Sequence, residues 1–118
     1  MKHRAFSVAA ALRYTSLALL LAMPLTAAAA GDPAKGKEKS ATCQACHGED
    51  GRTVIDPSYP ILAGQYASYL VRALQDYRSG ERSNAVMAGM SANLSDQDIE
   101  DLAAWYASRE GLRDLSIK

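Results

Sequence analysis

The chain has 118 residues, 48% of them hydrophobic, and its thirteen basic residues are balanced by thirteen acidic ones. This length suits a single small domain. Because phosphate binding needs clustered Lys and Arg, the charge balance argues against nucleic acid as a partner.

The N-terminal 30 residues have the pattern of a secretory signal peptide, so we predict a signal at 1–30 and a folded domain at 31–118. A basic start without acidic residues precedes a short apolar stretch and three alanines. The basic residues are Lys2, Arg4 and Arg13. An uncleaved anchor is the alternative, although Pro24 interrupts the apolar run, whose length is at the lower end of the roughly 17–25 residues that span a membrane. Cleavage after about Ala30 leaves thirteen acidic and ten basic residues, a net charge of −3.

Two helices are expected in the first part of the domain. One covers about 33–45, because Asp32 is placed as its N-cap and Pro33 at its first helical position. The next covers 65–78, where apolar residues recur at helical spacing on one face. Gly80 follows as a typical C-terminal stop.

A further helix begins after Ser95, which is placed as the N-cap with Asp98 completing a capping box. Gly111 is expected to end it. The apolar face of this helix is formed by Ile99, Leu102, Ala103 and Tyr106. The stretches 48–59 and 81–93 show no helical or strand periodicity and are expected to be irregular. No stretch alternates convincingly as a strand, so we predict an all-α domain.

The chemistry of the chain is concentrated in Cys43-x-x-Cys46-His47, the attachment signature of c-type haem. Two thiols one helical turn apart can each add to a vinyl group of the haem. The imidazole next to the second thiol can then bind the iron from one side. The sequence therefore predicts covalent haem attachment through Cys43 and Cys46, with His47 as an axial ligand.

Residue counts limit the alternatives. Cys43 and Cys46 are the only cysteines, and His47 is the only histidine once the signal is removed. A structural zinc site needs four Cys or His ligands, a thioredoxin-like pair follows a strand, and a disulfide across two residues closes too small a loop to stabilise much. A disulfide and a metal site remain the alternatives to haem.

The second axial ligand of a haem would have to come from elsewhere in the domain. No second histidine is available there, and the only methionines are Met87 and Met90. A thioether ligand favours ferrous iron and raises the reduction potential. Filling both axial positions leaves no open site for a substrate, which indicates electron transfer rather than catalysis.

Taken together, four motifs resemble a small bacterial class I cytochrome c with one haem, similar to one half of the tandem two-haem periplasmic cytochromes c. The motifs, in chain order, are Cys43-x-x-Cys46-His47-Gly48, Tyr59-Pro60-x-Leu62-Ala63-Gly64-Gln65, Met87-x-Gly89-Met90 and Leu94-Ser95-Asp96. The resemblance covers residues 31–118. It implies an all-α fold wrapped around one covalently attached haem c.

The resemblance also implies roles for individual residues. Pro60 matches the proline whose carbonyl accepts a hydrogen bond from the proximal imidazole, and Leu62 matches the leucine that packs on the haem. Gly36 matches the crossing of the first and last helices. Ser40 departs from the pattern, because many relatives carry an aromatic residue there, which leaves the tightness of that crossing open.

In the tandem relatives the iron-binding methionine lies seven residues before the leucine of Leu-Ser-Asp, a position that Met87 occupies here. The resemblance therefore favours Met87 as the axial ligand, with Met90 as the alternative.

The implied function is that of a periplasmic electron carrier, not an enzyme, cycling haem iron between Fe(II) and Fe(III). Its expected partners are redox proteins: dehydrogenases, membrane respiratory complexes and terminal oxidases. The membrane would be reached only through them. A haem-bearing relay subunit fixed in a larger dehydrogenase or oxidase complex is the alternative. A sensor with an open iron would require that neither methionine binds.

Overall fold

The computed structural model describes residues 30–112, which form five α-helices and no strand. The helices are α1 (Pro33–Lys39), α2 (Ala41–His47), α3 (Ala67–Ser79), α4 (Ala85–Ser91) and α5 (Asp96–Ala107). The all-α prediction is confirmed. The predicted signal peptide falls on residues outside the described part, except for its last position. Within that part, no helix is long and apolar enough to span a membrane.

The first helical segment differs from its prediction, because a turn at Ser40 divides it into α1 and α2. Its start is as expected: the carboxylate of Asp32 accepts from the backbone N–H of Ala34 at 2.8 Å. The hydroxyl of Ser40 donates to the carbonyl of Lys37 at 2.7 Å. A serine that bonds back to the preceding turn competes with the helical ladder, which accounts for the break.

The stretch 81–93, expected to be irregular, contains α4, so that prediction is wrong. The Asn84 side chain caps this helix by accepting from the N–H of Met87 at 3.0 Å. At the other end the buried hydroxyl of Ser91 donates to the Met87 carbonyl at 2.7 Å. Helix α3 ends as predicted, at Gly80 in the left-handed conformation with φ of 84°.

Helix α5 packs against both α1 and α3 and provides most of the core. The predicted capping box of Ser95 and Asp98 is present, but the helix ends at Ala107, before Gly111. It crosses α1 at Gly36, where a Cβ atom would lie 2.0 Å from the Asp101 carbonyl oxygen. The buried cluster behind this crossing consists of Leu70, Ala103, Trp105 and Tyr106, with Cys43, Leu62 and Val71 packed on it.

A buried carboxylate joins α1 to α5. Asp101 is 0% exposed and accepts from the backbone N–H of Asp32 at 2.9 Å, from Lys39 at 2.7 Å and from Gln97 at 2.8 Å. These three donors lower the pKa of Asp101 to about 2. The Asp32 N–H has the largest effect, followed by Lys39 and then Gln97. A buried charge with three donors is satisfied, so it fixes the relative position of the two helices.

Candidate haem-attachment site

Helix α2 presents both cysteines and the histidine within its last five residues. Cys43 and Cys46 are free thiols, each partly buried, and lie one helical turn apart. His47, the last residue of α2, is 5% exposed. Gly48 ends the helix with φ of 81°, and a side chain there would strike the Thr53 carbonyl. The helix therefore stops directly behind the imidazole, and the chain turns into the following loop.

The ring of His47 is held in one orientation. Its Nδ1 lies 2.9 Å from the carbonyl oxygen of Pro60. A carbonyl only accepts, so Nδ1 carries the proton and donates, and Nε2 keeps the lone pair that can bind a metal. The Tyr59 ring meets the imidazole edge to face, with centroids 6.2 Å apart. The contact between Pro60 and the imidazole that the resemblance implies is thus present.

The loop that carries Pro60 is pinned to the end of α2. The carbonyl of Gly51 accepts from the N–H groups of Leu62 at 2.8 Å and Ala63 at 3.0 Å. The N–H of Ile55 donates to the Cys46 carbonyl at 3.3 Å. These bonds bring the partly buried Leu62 against the core cluster. The position of the Pro60 carbonyl therefore depends on backbone bonds on both sides of it.

A tyrosine hydroxyl lies beside each cysteine. Tyr106 packs near Cys43. Burial is the largest cause that raises the pKa of its hydroxyl, and the neighbouring thiol adds to the effect. Burial also raises the pKa of the Cys43 thiol. On the other side, a hydrogen bond with Cys46 raises the pKa of Tyr59. The sequence placed Tyr106 only on the apolar face of the last helix, and nothing in its pattern indicated that the hydroxyl would face a cysteine.

The two candidate methionines lie one turn apart on α4. Met87 is partly buried, whereas Met90 is 49% exposed. Met87 has both backbone groups engaged, by Asn84 and by Ser91. No such side-chain bonds to the backbone of Met90 are found in the described part of the chain. The two side chains thus differ in exposure and in how firmly their backbone is held.

The site suits a flat, largely apolar cofactor better than a bare metal ion. Several segments of the described domain leave large apolar side chains at the surface. They are Ile55, Tyr59, Ile61, Tyr66, Tyr69, Val86 and Met90. Among residues 30–112, no group of three or more His, Cys, Asp or Glu is arranged to hold a metal ion. Two free thiols, an imidazole with a free Nε2, and a methionine elsewhere in the domain are the donors that haem c needs.

The comparisons with known proteins agree with this donor set. The family model for cytochrome c matches residues 33–109. Cytochrome c4 of Pseudomonas aeruginosa is 47% identical over 106 residues, which cover 86% of this chain and 52% of that protein. Cytochrome c-554(548) of Halomonas halodenitrificans is 49% identical over 84 residues, covering 69% of this chain and 100% of that protein.

A solved structure supports the same assignment. The crystal structure of reduced recombinant cytochrome c4 from Pseudomonas stutzeri aligns with a TM-score of 0.66 and 43% identity, over 70% of this chain and 48% of that one.

The thiosulfate dehydrogenase electron acceptor of Stutzerimonas stutzeri is 42% identical over 62 residues, 52% of this chain and 29% of that protein. The chain spans about half the length of the cytochromes c4 that it matches.

The family's cofactor is haem c, held covalently, and the two thiols of this chain fit its attachment site. On the match over most of the described residues and on this donor set, the chain belongs to the cytochrome c family.

Proposed function

We propose that the chain is a periplasmic electron carrier in which His47 and Met87 are the two axial ligands of one haem c. The observation that carries the proposal is the orientation of His47: Nδ1 is committed to the Pro60 carbonyl at 2.9 Å, beside the two thiols. Bound haem supplies a one-electron Fe(II)/Fe(III) couple. The chain's own residues attach it, supply both axial ligands and keep its surroundings apolar.

Several contacts favour Met87 over Met90 as the second ligand. The Asn84 side chain fixes the N–H of Met87 and the Ser91 hydroxyl fixes its carbonyl, so its backbone is held at both ends. An axial ligand needs such a fixed origin, because the energy of a coordinate bond depends on its geometry. Met90 is half exposed, and no side chain of the described residues bonds to its backbone, so it is held less firmly.

The arrangement suits transfer of electrons rather than catalysis. With both axial positions filled by side chains, no position on the iron is open to a substrate. The residues that hold His47 belong to a loop pinned by backbone bonds, so little has to move between the two oxidation states. Exposed apolar side chains around the site, such as Ile61 and Tyr66, would serve short encounters with redox proteins.

The exported protein, produced with haem-maturation machinery, provides the test. Its mass should equal the cleaved chain plus one haem, and its ferric form should show the absorption band of a thioether bound to iron. An unmodified mass without a haem spectrum would reject the proposal.

The choice of ligand is tested by two matched variants. Met87→Ala should abolish the thioether-to-iron band, whereas Met90→Ala should keep it. The reverse result would assign the ligand to Met90. Absence of the band from the parent protein, with ready binding of carbon monoxide to its ferrous form at neutral pH, would indicate an open iron instead.

A second candidate function is that of a haem-bearing relay fixed in a dehydrogenase or oxidase complex. The relative named a thiosulfate dehydrogenase electron acceptor favours a dehydrogenase as the donor. Membrane respiratory complexes and terminal oxidases are the acceptors that a free carrier would serve. Purification of the protein at native level separates the two functions: a stoichiometric partner supports the relay, and a monomer without one supports the carrier.

A further inference from the structure

Tyr106 is more deeply buried than Tyr59, the tyrosine beside the other cysteine. Its side chain is 3% exposed, and its ring lies against Gly51, where a Cβ atom would come within 2.6 Å of Cδ1. Its backbone carbonyl accepts from the N–H of Gly64 at 2.9 Å. Ring and backbone are thus fixed from the loop that carries Pro60, so the position of the hydroxyl oxygen is fixed as well.

The hydroxyl of Tyr106 is buried and, within the described residues, has no hydrogen-bond partner. Such a group is rare, because a buried donor left unpaired costs free energy. Two groups are near it, the hydroxyl of Ser40 and the sulfur of Cys43. Ser40 donates its proton to the Lys37 carbonyl at 2.7 Å and accepts from Gln44 at 2.8 Å, so only one lone pair of its oxygen is left to accept another bond.

The second acceptor is the sulfur of Cys43, which packs against the cluster that contains Tyr106. Attachment of the haem removes the thiol proton and leaves a thioether, which can accept but not donate. We propose that the Tyr106 hydroxyl donates a hydrogen bond to the Cys43 sulfur in the haem-bearing protein and thereby raises the reduction potential.

The direction of the effect follows from the orientation of the dipole. A donating hydroxyl points its positive end at the sulfur and at the haem beyond it, which disfavours the extra positive charge of ferric iron. In an apolar site such a dipole is poorly screened. Hydrogen bonds around a redox centre are one of the means by which proteins set its potential.

The tyrosine beside the other cysteine should act more weakly. Tyr59 is 37% exposed, so water screens its hydroxyl and can exchange with its bond to Cys46. The proposal therefore predicts an asymmetry: the same substitution should shift the potential more at Tyr106 than at Tyr59.

Tyr106→Phe is the direct test, because it removes the hydroxyl and keeps the ring. The inference rests on the proposed electron carrier, so the visible spectrum of each variant is recorded first. An abnormal spectrum in the parent protein would count against the carrier itself. With normal spectra, the reduction potential of Tyr106→Phe should be lower than that of the parent, and its thermal midpoint equal or lower. Tyr59→Phe should shift the potential by less.

Two control variants test whether the Cys43 sulfur is the acceptor. Tyr69→Phe removes an exposed hydroxyl that bonds to Arg82 and should leave the potential unchanged. Ser40→Ala removes the rival acceptor and should also leave it unchanged, which keeps the proposal testable even if Tyr106→Phe folds poorly. An unchanged potential in Tyr106→Phe, or a higher melting temperature, would overturn the proposal, because the hydroxyl would then be an unpaired group. A potential shift in Ser40→Ala as large as in Tyr106→Phe would overturn it too.

Discussion

The crossing of α1 and α5 at Gly36 leads to a quantitative prediction. A methyl group at this position would lie 2.0 Å from the Asp101 carbonyl oxygen and 2.7 Å from the Cβ of Trp105. Ordinary contacts of this kind are above about 3 Å, so the helices would have to separate by roughly 1 Å. That movement strains the buried bond between the Asp32 N–H and Asp101, now 2.9 Å long.

The expected cost of Gly36→Ala follows from three contributions. Overpacking of a tight contact costs up to about 3 kcal/mol, and loosening of a buried hydrogen bond adds about 1 kcal/mol. Alanine returns about 1 kcal/mol through its better helix propensity. We therefore expect a net loss of about 3 kcal/mol in the free energy of unfolding. For a domain of this size that is a fall of about 12–24 °C in Tm.

Guanidinium unfolding of the haem-bearing protein, followed by circular dichroism, measures this change. Lys35→Ala, on the exposed side of the same helix, is the control and should alter stability by less than about 0.5 kcal/mol. A loss below about 1 kcal/mol in Gly36→Ala would refute the close crossing, because the added methyl group would then have found space.

Two further predictions concern α5. Asp101 has its pKa lowered from 3.8 to about 2, so its contribution to stability is present above about pH 4 and is lost as the pH falls through 2. Asp101→Asn should lower the free energy of unfolding at pH 7 by about 2–3 kcal/mol. In acid unfolding, the stability of this variant should fall less steeply between about pH 4 and 2 than that of the parent protein. An unchanged pH profile would contradict the assignment. Ser95→Ala should cost about 1 kcal/mol through loss of the N-cap, measured by the same denaturant titration, with Glu100→Ala on the same helix as the control for loss of a surface side chain.

The sequence was most informative where one short-range rule decides the structure. The capping box at Ser95 and the left-handed stop at Gly80 each depend on a few residues with known preferences, whereas the contact between His47 and Pro60 was expected only from the family resemblance. It was least informative in 81–93, where α4 has only seven residues. A segment that short, with two methionines and a glycine in it, shows too little helical periodicity for a helix to be predicted. The break at Ser40 was missed for a similar reason, since a serine inside a helix is common and only its bond back to Lys37 marks the turn.

The position of Tyr106 was beyond any local rule. Its place depends on the loop around Gly51 folding back onto α5, a contact between residues 55 positions apart in the chain. Periodicity assigned it to an apolar face, and that assignment is right for the ring. The hydroxyl is the part that the pattern could not place, because its surroundings come from α1, α2 and the loop together.

Helix α5, the last helix of the described residues, holds two other parts of the domain in place. One of its residues, Asp101, fixes α1 through the N–H of Asp32. Another, Tyr106, fixes the loop that carries Pro60 through its carbonyl and ring, and it lies against Cys43. Because α1 precedes α2 along the chain and the loop follows it, α5 holds the segments on both sides of α2, the helix that carries His47. The buried crossing at Gly36 and the orientation of His47 are therefore parts of one arrangement, which suits the proposed electron carrier because such a protein should reorganise little.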